Sequence, residues 1–231
     1  MLKNLLSDFR QLFYPHYCAG CGSDNLESEA HLCLRCIAHL PHTGFANMMM
    51  NPVEQVFEGR IPFRFAFSEF YFSKGQIVQA LIHQLKYKGN RAVGLYLGAL
   101  IGRSLLSSSR ITLPDLVVPL PMFAKKEFKR GYHQATDLCE GLSTETSLPI
   151  NKTNLHRTRA TETQTRKHRV ERWLNVDGSF SVLDSGKFEN KHILLVDDVI
   201  TTGATLEACA QTLLTIPGVS VSFAAIAHAS R

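Results

Sequence analysis

No apolar run in this 231-residue chain approaches the roughly 18 residues that a membrane-spanning helix needs. The amino-terminal stretch is broken by charges where a secretory signal has an uninterrupted apolar core, so a cytoplasmic protein without a membrane span is expected. Internal repeats and low-complexity tracts are absent as well, and tryptophan occurs once. Charge of either sign is scarce overall but unevenly placed. Residues 121–172 hold eleven Lys or Arg against six Asp or Glu, which accounts for the whole net charge of +5. A local basic surplus suits a polyanionic ligand or a nucleic-acid backbone, although a merely solvated basic face is the commoner meaning. What the amino terminus has instead of a signal is Leu2, Leu5, Leu6, Phe9, Leu12 and Phe13 at helical spacing, expected to form a helix packed on the body.

Cysteine is nearly absent beyond residue 36. Four of the six fall in two Cys-x-x-Cys turns, Cys18 with Cys21 and Cys33 with Cys36. Each turn can aim two thiolates at one metal. Four thiolates close a tetrahedral zinc shell and leave no position for a catalytic water, so the zinc is expected to be structural. The polar loop between the turns lacks a core of its own, and metal binding would supply its folding energy. Disulfides are the competing reading, disfavoured by the absence of a secretory signal. Cys139 and Cys209 lie in apparent helices and read as small buried hydrophobes.

The most informative segment is Ile193 to Thr205, reading Ile-Leu-Leu-Val-Asp197-Asp198-Val-Ile-Thr201-Thr202-Gly203-Ala204-Thr205. The run from His192 to Val199 is aliphatic and β-branched and reads as a strand buried on both faces, as in a parallel sheet. The acidic pair then stands at its carboxyl end, where open α/β sheets bind ligands. The following loop opens a helix whose free N–H groups favour a phosphate. Gly203 is expected to let the backbone approach a ligand closely, with Thr201, Thr202 and Thr205 adding hydroxyls. The two carboxylates suit a cis-diol, or magnesium reached through water.

The remainder reads as strands alternating with helices, which predicts a mainly parallel sheet with helices on both faces. A connector is expected over Pro41 to Pro62 and a strand within Ile61 to Phe72, its aromatics core. A helix follows, with Ser73 as candidate cap and Ile77, Leu81, Ile82 and Leu85 on one face. A second helix covers Ala92 to Leu106, with Leu95, Ala99 and Gly102 or Arg103 in register. Leu116 to Pro121 reads as a strand whose prolines fit an edge, and the next helix starts near Gln134. A weak strand near Pro149 to Leu155 and another at Ser179 to Leu183 precede the acidic-motif strand. Ala204 to Ile216 is its helix, and Val219 to Ala227 a last buried strand. The division expected is 1–44, amino-terminal helix and zinc module, and 45–231, the α/β domain.

Two basic segments flank this frame. Arg130-Gly131-Tyr132-His133-Gln134 follows the end of the Leu116 strand, at the same sheet edge as the acidic motif. From Arg157 through Arg159 and Gln164 to Arg169 the chain is polar, threonine-rich and basic without either periodicity, and reads as a lid that could exclude water from a reacting centre. An ordinary exposed loop is the alternative.

All thirteen positions from Ile193 to Thr205 resemble the phosphoribosyl pyrophosphate (PRPP) motif of type I phosphoribosyltransferases. The resemblance implies that Asp197 and Asp198 hold the ribose hydroxyls, that residues 201 to 205 hold the 5′-phosphate, and that the loop with Arg130, Gly131 and Gln134 receives pyrophosphate. Fixed donors there would stabilise the leaving group's charge, with Arg130 suited to forked phosphate contact. Across nearly the whole chain the sequence is similar to the ComF or GntX group of competence-associated proteins. Its parts are the Cys-x-x-Cys pairs, Leu81 to Gly89, Val118 to Pro121, Arg130 to Gln134, Arg159 with Gln164 and Arg169, Asn175 to Phe180, and the acidic motif. One departure is His133, where the family usually has Asn. The fold implied is type I phosphoribosyltransferase-like with a four-cysteine zinc module. The function implied is binding of Mg-PRPP, with transfer of ribosyl phosphate to an unidentified acceptor, in the context of DNA uptake. Purine-salvage enzymes of this fold carry an acid where this chain has Thr201, and amidophosphoribosyltransferases a cysteine where it has Leu2, so neither activity is expected. The alternative is a catalytically idle PRPP-sensing module that engages single-stranded DNA or a DNA-processing partner through its basic surface. The aromatics interleaved there, Phe123, Phe128, Tyr132 and Trp173, support base stacking only modestly. A homodimer is plausible for the fold.

Overall fold

The computed structural model describes residues 17–24, 26, 30–73, 75–123, 128, 130–158 and 179–229. The expected helix over residues 2–13 lies outside them. A four-stranded parallel sheet forms the centre, built from β1 (Ala66–Tyr71), β2 (Leu116–Pro119), β5 (His192–Ile200) and β6 (Ser220–His228) in the order β1-β6-β5-β2. Leu194 to Val196 and Val221 to Ala227 are buried on both faces. Covered faces explain why these strands read as continuous apolar runs rather than alternating ones. β2 is an edge strand, as its prolines suggested. At the opposite edge the amino-terminal module, which carries the short α1 (Leu34–Ala38), runs along β1: Thr43 N–H donates to the Glu69 carbonyl at 3.0 Å and Tyr71 N–H to the Pro41 carbonyl at 3.0 Å. That pairing protects an edge that would otherwise offer free backbone groups.

Helices cover both faces. α4 (Arg91–Ser107) and α5 (Gln134–Thr146) pack on one side, after α3 (Ile77–Tyr87). The other side carries α6 (Ala204–Leu214) and a short α2 (Pro52–Phe57), whose Phe57 ring stacks on Phe223 of β6 with centroids 4.2 Å apart. α2 falls inside the expected connector. Its start is set by Asn51, whose Oδ1 accepts from Val53 and Glu54 N–H, with Pro52 in the first turn. α3 begins after Gln76 without a side-chain cap, so Ser73 does not serve as one.

The register expected for the second helix is also corrected. Its buried face is Val93, Gly94, Leu97, Gly98, Ile101, Gly102 and Leu105, while Leu95 and Ala99 are half-buried and Arg103 is exposed. The glycines are there because α4 and α5 touch backbone to backbone: a Cβ on Gly98 would stand 2.0 Å from the Leu138 carbonyl oxygen, and one on Gly141 2.0 Å from that of Leu95. Beyond β2, β3 (Leu155–Arg157) pairs antiparallel with β4 (Phe180–Val182), and Ile150 bridges Val117. The weak strand thus divides into an isolated bridge and β3. Among the described residues no helix is long and apolar enough to cross a membrane.

Candidate active site

The site is assembled where β5 ends. Successive side chains of a strand point to opposite faces, so Asp197 and Asp198 diverge. Asp198 turns toward α3 and α5. Its Oδ1 lies 3.0 Å from Lys86 Nζ, and its Oδ2 accepts from Gln134 Nε2 at 3.1 Å. Arg130 Nη1 donates in turn to Gln134 Oε1 at 2.9 Å, and its guanidinium lies over the Tyr87 ring at 5.7 Å. Arg130, Gln134, Asp198 and Lys86 therefore form one connected polar cluster. Asp197 turns the other way, toward Arg157 and Cys209 of α6, while its Oδ1 accepts the N–H of Asp198 at 2.8 Å. Burial, and then the neighbouring Asp198 charge, push its carboxyl up to about 7, against the opposing pull of Lys86 and Arg157.

After β5 the loop Thr201-Thr202-Gly203 is exposed at both threonines and buried at Gly203, which has φ +70°. Gly203 precedes α6, whose start has no side-chain cap, so the first amides of that eleven-residue helix lack the usual side-chain acceptor. Ala204 is exposed and Thr205 half-buried beside it. A Cβ at Gly203 would stand 2.7 Å from both Val56 and Phe57, so its missing side chain also admits α2. Arg60, just past α2, donates to the Thr202 carbonyl at 2.9 Å and pairs with Glu207 of α6. The loop is braced from behind.

Around the end of β2 the structure brings Arg130 and Gln134 to the acidic strand, while Gly131 is exposed at φ +73°. His133 is the cap of α5. Its Nδ1 and Nε2 lie 3.3 Å from the N–H groups of Thr136 and Met122, and a neutral imidazole can accept from one of them at a time. An Asn in this place would cap equally well, which accounts for the departure from the family pattern. Arg157 sits at the end of β3, not in a loop. Its guanidinium stacks on Phe123 at 3.9 Å, and its Nε is buried without a hydrogen-bond partner among the described residues. Arg159, Gln164 and Arg169 lie outside the described residues. A cleft of about 450 Å³ opens here, lined by Met122, His133, Lys152 and Arg157 among others.

Sequence reasoning did not select Lys86 or Arg60 for the site. Lys86 stood within the Leu81 to Gly89 segment quoted for the resemblance, and a basic side chain at a helix end was the available signal. Arg60 offered none, since its partners are about 140 residues away.

The four cysteines of the amino-terminal turns converge, their Sγ atoms all within 4.8 Å of one another. Burial raises the Cys18 thiol, but hydrogen bonds from the N–H groups of Cys33, Cys21 and Gly20 outweigh it and bring the group down to about 6. Burial and the neighbouring thiols push Cys36 well up. All four sulfurs facing one point suits a tetrahedral metal rather than two separate bridges. Cys139 and Cys209 are fully buried in α5 and α6, as expected.

Residues 128–230 match the phosphoribosyl transferase domain family. The DNA utilization protein YhgH of Escherichia coli (strain K12) is 34% identical over 137 residues, 58% of this chain and 60% of that protein. Competence protein F of Haemophilus influenzae is 26% identical over 198 residues, 85% of this chain and 78% of the relative. The chain is thus similar to DNA-utilization and competence proteins. A further relative, competence protein ComFC of Bacillus subtilis, is 35% identical over 101 residues, 43% of this chain and 38% of its own length. The matched stretch spans about 60% of the length of the Escherichia coli relative. With its parallel sheet, covering helices and phosphoribosyl transferase domain match over residues 128–230, the chain has a phosphoribosyltransferase-like fold.

Proposed function

We propose that the protein binds Mg-PRPP at the end of β5 and transfers its ribosyl phosphate to an acceptor. The observation that carries this reading is the divergent Asp197 and Asp198 pair followed by an uncapped helix start at Gly203. Asp198 and Asp197 accept from the ribose hydroxyls. Thr201, Thr202, Gly203, Ala204 and Thr205 surround the 5′-phosphate, whose charge the α6 amides favour. Arg130, with Gly131 and Gln134, faces the pyrophosphate and stabilises the charge that builds as it leaves. The acidic pair would hold magnesium bound with PRPP through water, and that ion would supply charge to neutralise the phosphates. A zinc ion on Cys18, Cys21, Cys33 and Cys36 orders the amino-terminal module, taken as residues 1–44 against a catalytic domain of 45–231.

The names of two relatives, a DNA utilization protein and a competence protein, support a role in DNA uptake or utilisation, which we take to be cytoplasmic. They equally favour a second reading, a PRPP-sensing module that binds single-stranded DNA or a DNA-processing protein through the basic segment of residues 121–172. Pyrophosphate release from Mg-PRPP with a panel of acceptors separates the two. Asp198→Asn removes the Lys86 pairing charge, and release is expected to fall at least about 100-fold. PRPP binding without release by the native protein, alongside salt-sensitive binding to single strands, overturns transfer and supports the module. Oligomeric state, for which a homodimer is the working expectation, is read from sedimentation of the full chain.

A further inference from the structure

The transfer reading leaves one chemical role unfilled. An acceptor that attacks through N–H or O–H must give up a proton, and the site at Thr201 offers a hydroxyl where a base would be needed. A second cleft, about 410 Å³ in volume, opens at the ends of β5 and β6. Its walls include Thr201 and Thr202 of the phosphate loop, Gln55 and Val56 of α2, Arg60 and His228. Its size suits one small molecule rather than a strand of nucleic acid.

His228 is the last residue of β6 and lies beside Ile200 in the parallel register, one residue before Thr201. Its Nδ1 is 3.2 Å from the Ile200 carbonyl oxygen. A carbonyl can only accept, so Nδ1 carries the proton and the neutral ring presents its lone pair at Nε2. Nε2 has no hydrogen-bond partner among the described residues, and it is not sealed from solvent. Burial lowers the basicity of His228, partly offset by the Ile200 carbonyl. The ring is therefore neutral near pH 7, the form a base requires. The charged groups around the cleft are Arg60 and its partner Glu207 on α6, with Tyr71 of β1 next to His228 in register.

We propose that His228 is the general base that takes the proton from the incoming acceptor. This rests on the transfer reading. The acceptor atom forms a bond to C1′ of PRPP, the bond from C1′ to the pyrophosphate oxygen breaks with its electron pair leaving on pyrophosphate, and the acceptor's proton passes to Nε2. The acceptor class is a small molecule with an ionisable N–H or O–H nucleophile, seated between α2 and the ends of β5 and β6.

The test uses His228→Asn in the full chain, whose side-chain amide can still donate to the Ile200 carbonyl. Pyrophosphate release from Mg-PRPP is followed with water, hydroxylamine and free nucleobases as proton-bearing acceptors, and with azide, which has no proton to lose. The expected result is a fall of about 100-fold with the proton-bearing acceptors, PRPP affinity within twofold of the native protein, and azide-driven release unchanged. The acid limb of the native pH profile due to His228 should disappear in the variant, while a limb from Asp197 remains. Equal losses with azide and with the other acceptors, or release within threefold of native throughout, overturns the assignment and leaves transfer standing. Native protein that releases no pyrophosphate with any of them overturns transfer, and the base with it.

Discussion

Replacing Gly98 by alanine should destabilise the protein, although the same change in an exposed helix stabilises. In such a helix alanine is favoured by about 1 kcal/mol. At position 98 the new Cβ would lie 2.0 Å from the Leu138 carbonyl oxygen, and real Cβ atoms do not approach closer than 3.0 Å, so α4 and α5 must separate by at least 1.0 Å along that contact. The obstacle is backbone on a helix and cannot swing aside. Over-packing of this kind costs about 3 kcal/mol, since a gap of that size forfeits up to half of each neighbouring dispersion contact. The net loss is about 2 kcal/mol, the difference between that cost and the propensity gain. In urea, with a slope near ~2 kcal/mol per molar, the midpoint should fall by about 1 M at unchanged slope. Gly141→Ala should behave alike, because its Cβ meets the Leu95 carbonyl oxygen at the same 2.0 Å. The double variant should lose clearly less than twice the single effect, since one separation relieves both clashes. A Gly98→Ala midpoint at or above that of the native protein, or strict additivity in the pair, would refute the close crossing.

Asp197 predicts a pH dependence. Its folded pKa is raised to about 7, so the stability conferred by its protonated form is complete below the unfolded value and is lost as pH rises toward 7. Asp197→Asn should match the native protein near pH 3 and exceed it by at least about 1 kcal/mol at pH 8, and a constant difference across thermal unfolding curves at these pH values would count against the burial. His133→Ala should cost about 1 kcal/mol by chemical denaturation and His133→Asn far less; equal losses would show that the ring does more than cap α5. Metal analysis should find one zinc per chain, and Cys18→Ser should bring the content below half an equivalent and lower the unfolding temperature. Full zinc in that variant would rule out four-thiolate ligation.

The parts of the fold legible in sequence were those whose signal is local. Buried parallel strands announce themselves as unbroken aliphatic runs, and Asp197 with Asp198 stands at the end of one. What escaped depends on pairing between distant segments. The α4 register was misread because glycine carries no hydrophobic signal, yet Gly94, Gly98 and Gly102 face the crossing with α5. α2 is six residues long, too short to show a period, and in sequence it does not differ from a connector. Lys86 and Gln134 meet on Asp198 only because β5 lies between the helices that bear them. His228 acquires its tautomer from Ile200, a strand away.

Val56 belongs at once to the brace behind Gly203 and to the wall of the His228 cleft. On the transfer reading, phosphate grip and acceptor fit would be mechanically interdependent, since any movement of α2 that widens the cleft also removes support from the loop. An enlarged side chain at residue 56 would act on two ligands through one displacement. The six-residue helix that sequence could not distinguish from a linker would in this sense be a lever between the two halves of the proposed reaction.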